Sequence, residues 1–296
     1  MKTVRTYTLR QRGFTLVEAI IVMVLTGVLA GVMVLFIRQP VQNYVDAAAR
    51  ADLSDAADLA LRRMARELRG ALPNSIRTTF NNGVWFVQFI PTKAGGQYLA
   101  VEDNTTSGTP LSFTSVAANT FSVVGPLPIG TAAIVPNNDF IAIYNLGNSI
   151  VGADAYTGAN VASITGVNNL TRVVTLGSNP FAVAAGGTPN ASPDHRFSVI
   201  TPPVTFRCEG NANGTGTLAR ITQSTFDAVQ PQPAVGGNPL LATNVLECDF
   251  SATQSASLNN GLIGMTLSLA RQRTGGAANG LETVTLVHQI HVDNTP

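Results

Sequence analysis

Apolar residues fall along this chain in three successive patterns. Residues 14–37, FTLVEAIIVMVLTGVLAGVMVLFI, are apolar on every face and carry one charge, Glu18. As a helix rising 1.5 Å per residue this run is about 36 Å long, enough to cross a hydrocarbon core of about 30 Å. Further on, Leu53, Ala57, Leu61, Met64, Leu68 and Leu72 recur at spacings of three and four. That spacing predicts one apolar stripe on a charged helix. From residue 78 the period shortens to two. Short strands are predicted at 84–90, 120–124, 140–146, 172–176, 196–200, 204–208, 218–221, 262–269 and 283–292, separated by Gly, Pro and Asn. In the last of these Val284, Leu286, His288 and Ile290 share one face. The patterns together predict an α+β fold. A long N-terminal α-helix, half membrane-spanning and half amphipathic, packs on a mainly antiparallel β-sheet body.

The segment boundaries follow from the same reading. A basic leader occupies 1–13, the transmembrane helix 14–37, its amphipathic continuation 38–72 and the β-rich body 73–296. Gly27 and Gly31, four apart within the span, suit close helix packing in a membrane; ordinary glycine usage is the alternative. Pro40 removes a helical donor and predicts a kink, and Gly70 and Pro73 end the helix. Asp46–Arg50 and Asp58–Arg62 are acid-first i,i+4 pairs worth a few tenths of a kcal/mol each. Arg62, Arg63, Arg66 and Arg69 read as a solvated face, with contacts to acidic patches of adjacent subunits as the alternative. Residues 146–190, rich in Gly, Ala, Asn and Thr, read as a loop-rich insertion with short strands.

Charge sharpens the picture. Charged residues make up 12% of the chain, about half the globular average of roughly 25%. With a net charge of only +1, nucleic-acid binding by a basic surface is not expected. Lys2, Arg5, Arg10 and Arg12 stand before the span with no acid among them. The positive-inside rule then places 1–13 in the cytoplasm and the body outside. Cys208 and Cys248 are the only two cysteines. With the body outside the cytoplasm a disulfide is expected; two buried free thiols are the alternative.

Chemistry-bearing motifs are missing. No P-loop, H-E-x-x-H or G-x-S-x-G sequence occurs. His288 and His291 fall on opposite faces of a strand, and His291 with Asp293 alone is too little for a metal site. Glu282, Asp154 and Asp139 have no partner legible in the sequence. Neither catalytic residues nor a cofactor or metal site is expected, and the chain does not read as an enzyme.

Glu18 is the anomaly of the span. A carboxylate in a membrane helix costs about 2.5–3.5 kcal/mol at the centre and less near the interface, and no basic residue within the span can pair with it. Snorkelling to the interface is one answer, a partner outside the chain another. The sequence around it, Arg12-Gly13-Phe14-Thr15-Leu16-Val17-Glu18, follows a basic leader and opens an apolar span. It resembles the class III signal of type IV pilins and type II secretion pseudopilins. The resemblance implies that prepilin peptidase cuts after Gly13 and that the new Phe14 amine is methylated. It further implies that Glu18 pairs with the Phe14 amine of a neighbouring subunit during assembly. Major and other minor pilins and an inner-membrane assembly platform are the implied partners.

The last third adds a finer resemblance. His195-Arg196-Phe197-Ser198-Val199-Ile200, Pro203-Val204-Thr205-Phe206-Arg207-Cys208, Val245-Leu246-Glu247-Cys248 and the ending from Val284 to Pro296 are similar to a minor pilin group of the mannose-sensitive haemagglutinin (MSHA) type IV pilus. That group is related to the J-type minor pseudopilins of type II secretion. A tip adhesin for surface glycans is a further alternative; it predicts a shallow aromatic patch on the body, which an aromatic content of 6% with Trp85 as the only tryptophan does not favour.

Overall fold

The structure is a computed structural model and describes residues 13–104, 106–147, 150–182, 191–253, 260–273 and 280–295. The basic leader at 1–12 lies outside the described residues.

Helix α1 (Leu16–Arg69) is a single helix of 54 residues, about 81 Å long at 1.5 Å per residue. Thr15 caps its start: the Thr15 Oγ1 accepts the Glu18 N–H at 3.3 Å, satisfying one of the donors a helix leaves open at its N-terminus. At the other end the Gly70 N–H bonds the Glu67 carbonyl at 3.1 Å. Pro40 lies inside α1, and the helix continues through it. Proline has no N–H, so the Phe36 carbonyl lacks its helical donor there.

The stripe does what its spacing predicts. Leu53, Ala57, Leu61, Met64 and Leu68 are buried against a sheet, and Leu72 is buried just beyond the helix. Packing begins only at Ala49, however; Val41, Tyr44 and Val45 are exposed. The apolar surface of the span therefore runs about two turns past residue 37 before the body covers it.

Thirteen strands follow among the described residues. They are β1 (Arg77–Asn81), β2 (Val84–Phe89), β3 (Thr92–Tyr98), β4 (Thr120–Val124), β5 (Phe140–Ala142), β6 (Val161–Asn168) and β7 (Val173–Leu176), then β8 (Arg196–Ile200), β9 (Val204–Glu209), β10 (Gly216–Thr222), β11 (Leu240–Thr253), β12 (Asn260–Gln272) and β13 (Leu281–Asp293). Seven of them form a sheet in the order β1-β2-β9-β10-β11-β12-β13, with every pairing antiparallel. Helix α1 lies on one face of this sheet. Val87, Phe89, Phe206, Leu218, Phe250, Leu267 and Ile290 meet the stripe there. β1 and β2 are joined by Asn82 and Gly83, both at positive φ (49° and 79°). Asn-Gly is the dipeptide that such a two-residue hairpin favours.

The other six strands close into a barrel, β3-β4-β7-β6-β5-β8. It has its own core of Tyr98, Leu111, Phe121, Ile141, Ile164, Val174, Leu176, Phe197 and Val199. The expected loop-rich insertion with short strands at 146–190 falls within this barrel. That stretch contains β6 and β7, whose Ala162, Ile164, Val174 and Leu176 are fully buried. The true inserted unit spans β3 to β8. It leaves the sheet after β2 and returns at β9, and those two strands pair directly, from Val84↔Glu209 to Phe89↔Val204.

Cys208 on β9 and Cys248 on β11 are joined by a disulfide, with Cα atoms 6.5 Å apart. These strands flank β10 and converge where β10 begins, at Gly216. A Cβ on Gly216 would collide with the carbonyls of Glu209 and Val245, so glycine is the residue that lets the two strands approach.

Candidate assembly interface

The N-terminal half of α1 is the largest exposed apolar surface among the described residues. Leu16–Val34 has a mean hydropathy of 2.5, and none of it is buried. Phe14 is 79% exposed, and Leu16, Met23, Leu29, Met33 and Phe36 are all exposed. A surface of this kind is stable in a lipid core or against other apolar helices, because water would order around it on every side. Thr26 does not disturb it. Its hydroxyl donates to the Val22 carbonyl at 2.7 Å, so that group is not left bare.

Glu18 stands in the first turn of this helix, exposed, with no ion-pair partner among the described residues. Thr15 is extended (φ −75°, ψ 148°), so Gly13 and Phe14 lie off the helix, exposed, where an enzyme can reach the bond between them. Beyond the helix's own nearby backbone, nothing comes within 4 Å of where a Cβ would sit on Gly27 or Gly31, so both face open space.

A second set of charges locks the body onto α1. Arg50 donates to Glu282 on β13, and Arg273 Nε donates to the other oxygen of the same carboxylate at 2.8 Å. Arg220 on β10 bonds Glu67 at 2.8 Å. The expected Asp58–Arg62 pair forms at 2.7 Å. The expected Asp46–Arg50 pair gives way, because Arg50 reaches across the helix–sheet seam to Glu282. The other orphan acids also gain partners: Asp139 accepts from Lys93 at 2.7 Å, and Asp154 caps the Tyr156 N–H at 3.0 Å. Arg50 and Lys93 lie far from their acids in sequence, while Arg273 and Tyr156 lie closer.

Hydrogen bonds from Arg50 and then Arg273 hold the Glu282 carboxyl below its ordinary value of 4.5. A lowered folded-state value means that this contribution is present above about pH 4.5 and is lost as pH falls through the folded value. Glu282→Gln is therefore expected to lower thermal stability at pH 7. At pH 3 the gap to the parent chain should shrink. An equal gap at both pH values would show that the carboxylate charge plays no part.

The body carries an exposed aromatic pair on its β1–β2 hairpin. Phe80, 58% exposed, pairs across the β1–β2 hairpin with Trp85; their ring centroids are 5.0 Å apart. They border an open groove of about 620 Å³ with Gly83, Gly210 and Ala212. The Asn82-Gly83 turn was the sequence signal that could have placed Phe80 opposite Trp85. Among the described residues no group of three or more His, Cys, Asp or Glu is arranged to hold a metal ion.

Residues 8–34 match the family model of the prokaryotic N-terminal methylation motif. No curated protein and no solved structure matches the chain. The motif indicates a type IV pilin-like or pseudopilin-like precursor, and with it processing by prepilin peptidase and assembly with other pilins. The apolar N-terminal helix fits a membrane-anchored, single-pass protein of that kind.

Proposed function

We propose that this chain is a minor pilin of an MSHA-type type IV pilus, similar to the MSHA biogenesis protein MshO, acting in initiation of assembly or at the pilus tip. The observation that carries the reading is the exposed apolar half of α1, opening on Gly13-Phe14 and carrying an unpaired Glu18. The leader stays in the cytoplasm, the span crosses the inner membrane and the body stands in the periplasm. Cleavage after Gly13 frees the Phe14 amine. The helix then leaves lipid for the filament core, where Gly27 and Gly31 admit a close neighbour and Glu18 meets an amine from another subunit. Pro40 gives the helix a point of bending between span and body. The inserted barrel supports a tip position, because a bulky body is crowded least where it has fewest neighbours.

Deletion of the chain is expected to reduce or shorten pili and leave protein secretion intact, read by counting pili and assaying exoproteins. Normal pili with exoproteins trapped in the periplasm would move the chain to the J-type pseudopilins of type II secretion. Gly13→Ala is expected to leave residues 1–13 attached, and a product of parental processed size would refute the signal. The Phe80–Trp85 pair favours one further reading, a tip adhesin that stacks a sugar ring on these aromatics. Glycan binding lost on Trp85→Ala would support it.

A further inference from the structure

The two edges of the seven-stranded sheet are treated differently. β1, five residues long, is covered. Arg77 donates to the carbonyls of Asp227 and Ala228 at 2.7 and 2.8 Å, and Thr79 and Asn81 bond Gln230 and Gln232 at 2.8 and 2.6 Å. β13, the other edge, is thirteen residues long. Among the described residues no strand pairs with its outer side. It contains no Pro and no Lys, the residues that usually blunt an edge. Its solvent face is Thr283, Thr285, Val287, Gln289 and His291, with Val287 67% exposed. On the helix face Val284 and Leu286 are only partly buried, so α1 does not finish covering this edge.

The geometry points to β13 as a docking edge for an extended, uncharged strand of a second, different pilin-like subunit anchored in the same membrane. This inference rests on the pilin reading above. Main-chain hydrogen bonds from the unpaired edge would supply the affinity, and the half-covered Val284 and Leu286 would take the incoming apolar side chains. The direction of α1 argues against a twin copy. Arg50 meets Glu282 at the start of β13, and Asn74, just past α1, bonds Asn294 just past β13 at 3.2 Å. Helix and strand therefore run the same way. Two copies paired antiparallel through β13 would be related by a twofold axis across the strands. That axis would also reverse α1, and the two spans could not enter one membrane with the same polarity. A different subunit with its own strand carries no such constraint. The edge also adjoins the exposed half of α1, so one neighbour could occupy both.

The test uses the full-length chain in its host membrane with photoreactive p-benzoylphenylalanine in place of Val287. Illumination is expected to give an adduct with a second chain bearing its own N-terminal methylation motif. Mass spectrometry should map the bond to an extended segment of that chain's body. With the probe moved to Thr285, Val287→Lys should lower the adduct at least fivefold, because a charge on the edge opposes strand addition. In detergent-solubilised parent chain, alternate β13 amides should exchange quickly; uniform protection would show the edge already paired and overturn the inference. An adduct only with another copy of this chain, or no adduct from a chain that is processed and disulfide-bonded, overturns the inference and leaves the pilin reading standing. A chain that keeps residues 1–13 overturns both.

Discussion

Glu18→Ala is expected to leave cleavage after Gly13 intact and to cut incorporation of the subunit into filaments by more than tenfold. On the proposed reading the peptidase acts at Gly13-Phe14, which lies off the helix and exposed, and the Glu18 side chain is not needed to present that bond. Assembly is different. Glu18 sits at the head of a surface that is apolar on every side, and on the proposed reading the charge that matches it is the Phe14 amine that cleavage creates in another subunit. Removing one member of a buried charge pair leaves the other desolvated and alone, at a cost of about 2–5 kcal/mol. That corresponds to roughly 30-fold or more in an association constant. Mature, methylated subunit should therefore accumulate in the membrane while sheared pili lose it. Glu18→Gln should behave alike, because the amide keeps the shape but not the charge. Full incorporation of either variant would remove the proposed pairing.

Loss of the Cys208–Cys248 bridge should be the largest single blow to the stability of the body. The bridge spans 40 residues, and chain-entropy arithmetic for a loop of that size gives about 4 kcal/mol. It also holds together β9 and β11, the strands that pass on either side of β10. The double variant Cys208→Ala, Cys248→Ala avoids placing hydroxyls in the core. It should lower the denaturant midpoint of the full chain in detergent without changing its processing. Trp85 is a built-in probe: it is the only tryptophan, pairs in register with Cys208 and contacts Phe250 edge-on, with centroids 6.3 Å apart. Its fluorescence should rise on reduction, since the neighbouring disulfide no longer quenches it. An unchanged midpoint, with two titratable thiols in the parent chain, would sink this prediction.

The fold was legible in the sequence wherever the signal was local. Five members of the predicted stripe lie buried on α1 itself, and nine strands were placed within a few residues of their positions. The alternation along β13 holds, with Ile290 and Val292 buried and Val287 and His291 exposed. The missed strands each lacked that signal. β3 carries Gly95-Gly96 in its middle, β6 mixes Ala, Ser and Gly, and β1 is a five-residue edge. β11 was not predicted as a strand; Thr243, Asn244, Glu247 and Asp249 interrupt its apolar positions.

The candidate interface divides in the same way. The sequence by itself determined the naked span, the lone carboxylate at its head and the cleavage motif before it. These depend on residues a few positions apart, and hydrophobic periodicity reports such neighbours directly. Only the tertiary structure decided that Glu282 answers to Arg50 and Arg273, that residues 146–190 help close a barrel, and that β13 ends the sheet while β1 is covered. Apart from the Arg273–Glu282 bond, whose residues lie nine apart, these outcomes join segments far apart in the chain. Which strand lies next to which is set by the packing of whole faces against α1 and against each other, and no local pattern encodes that order.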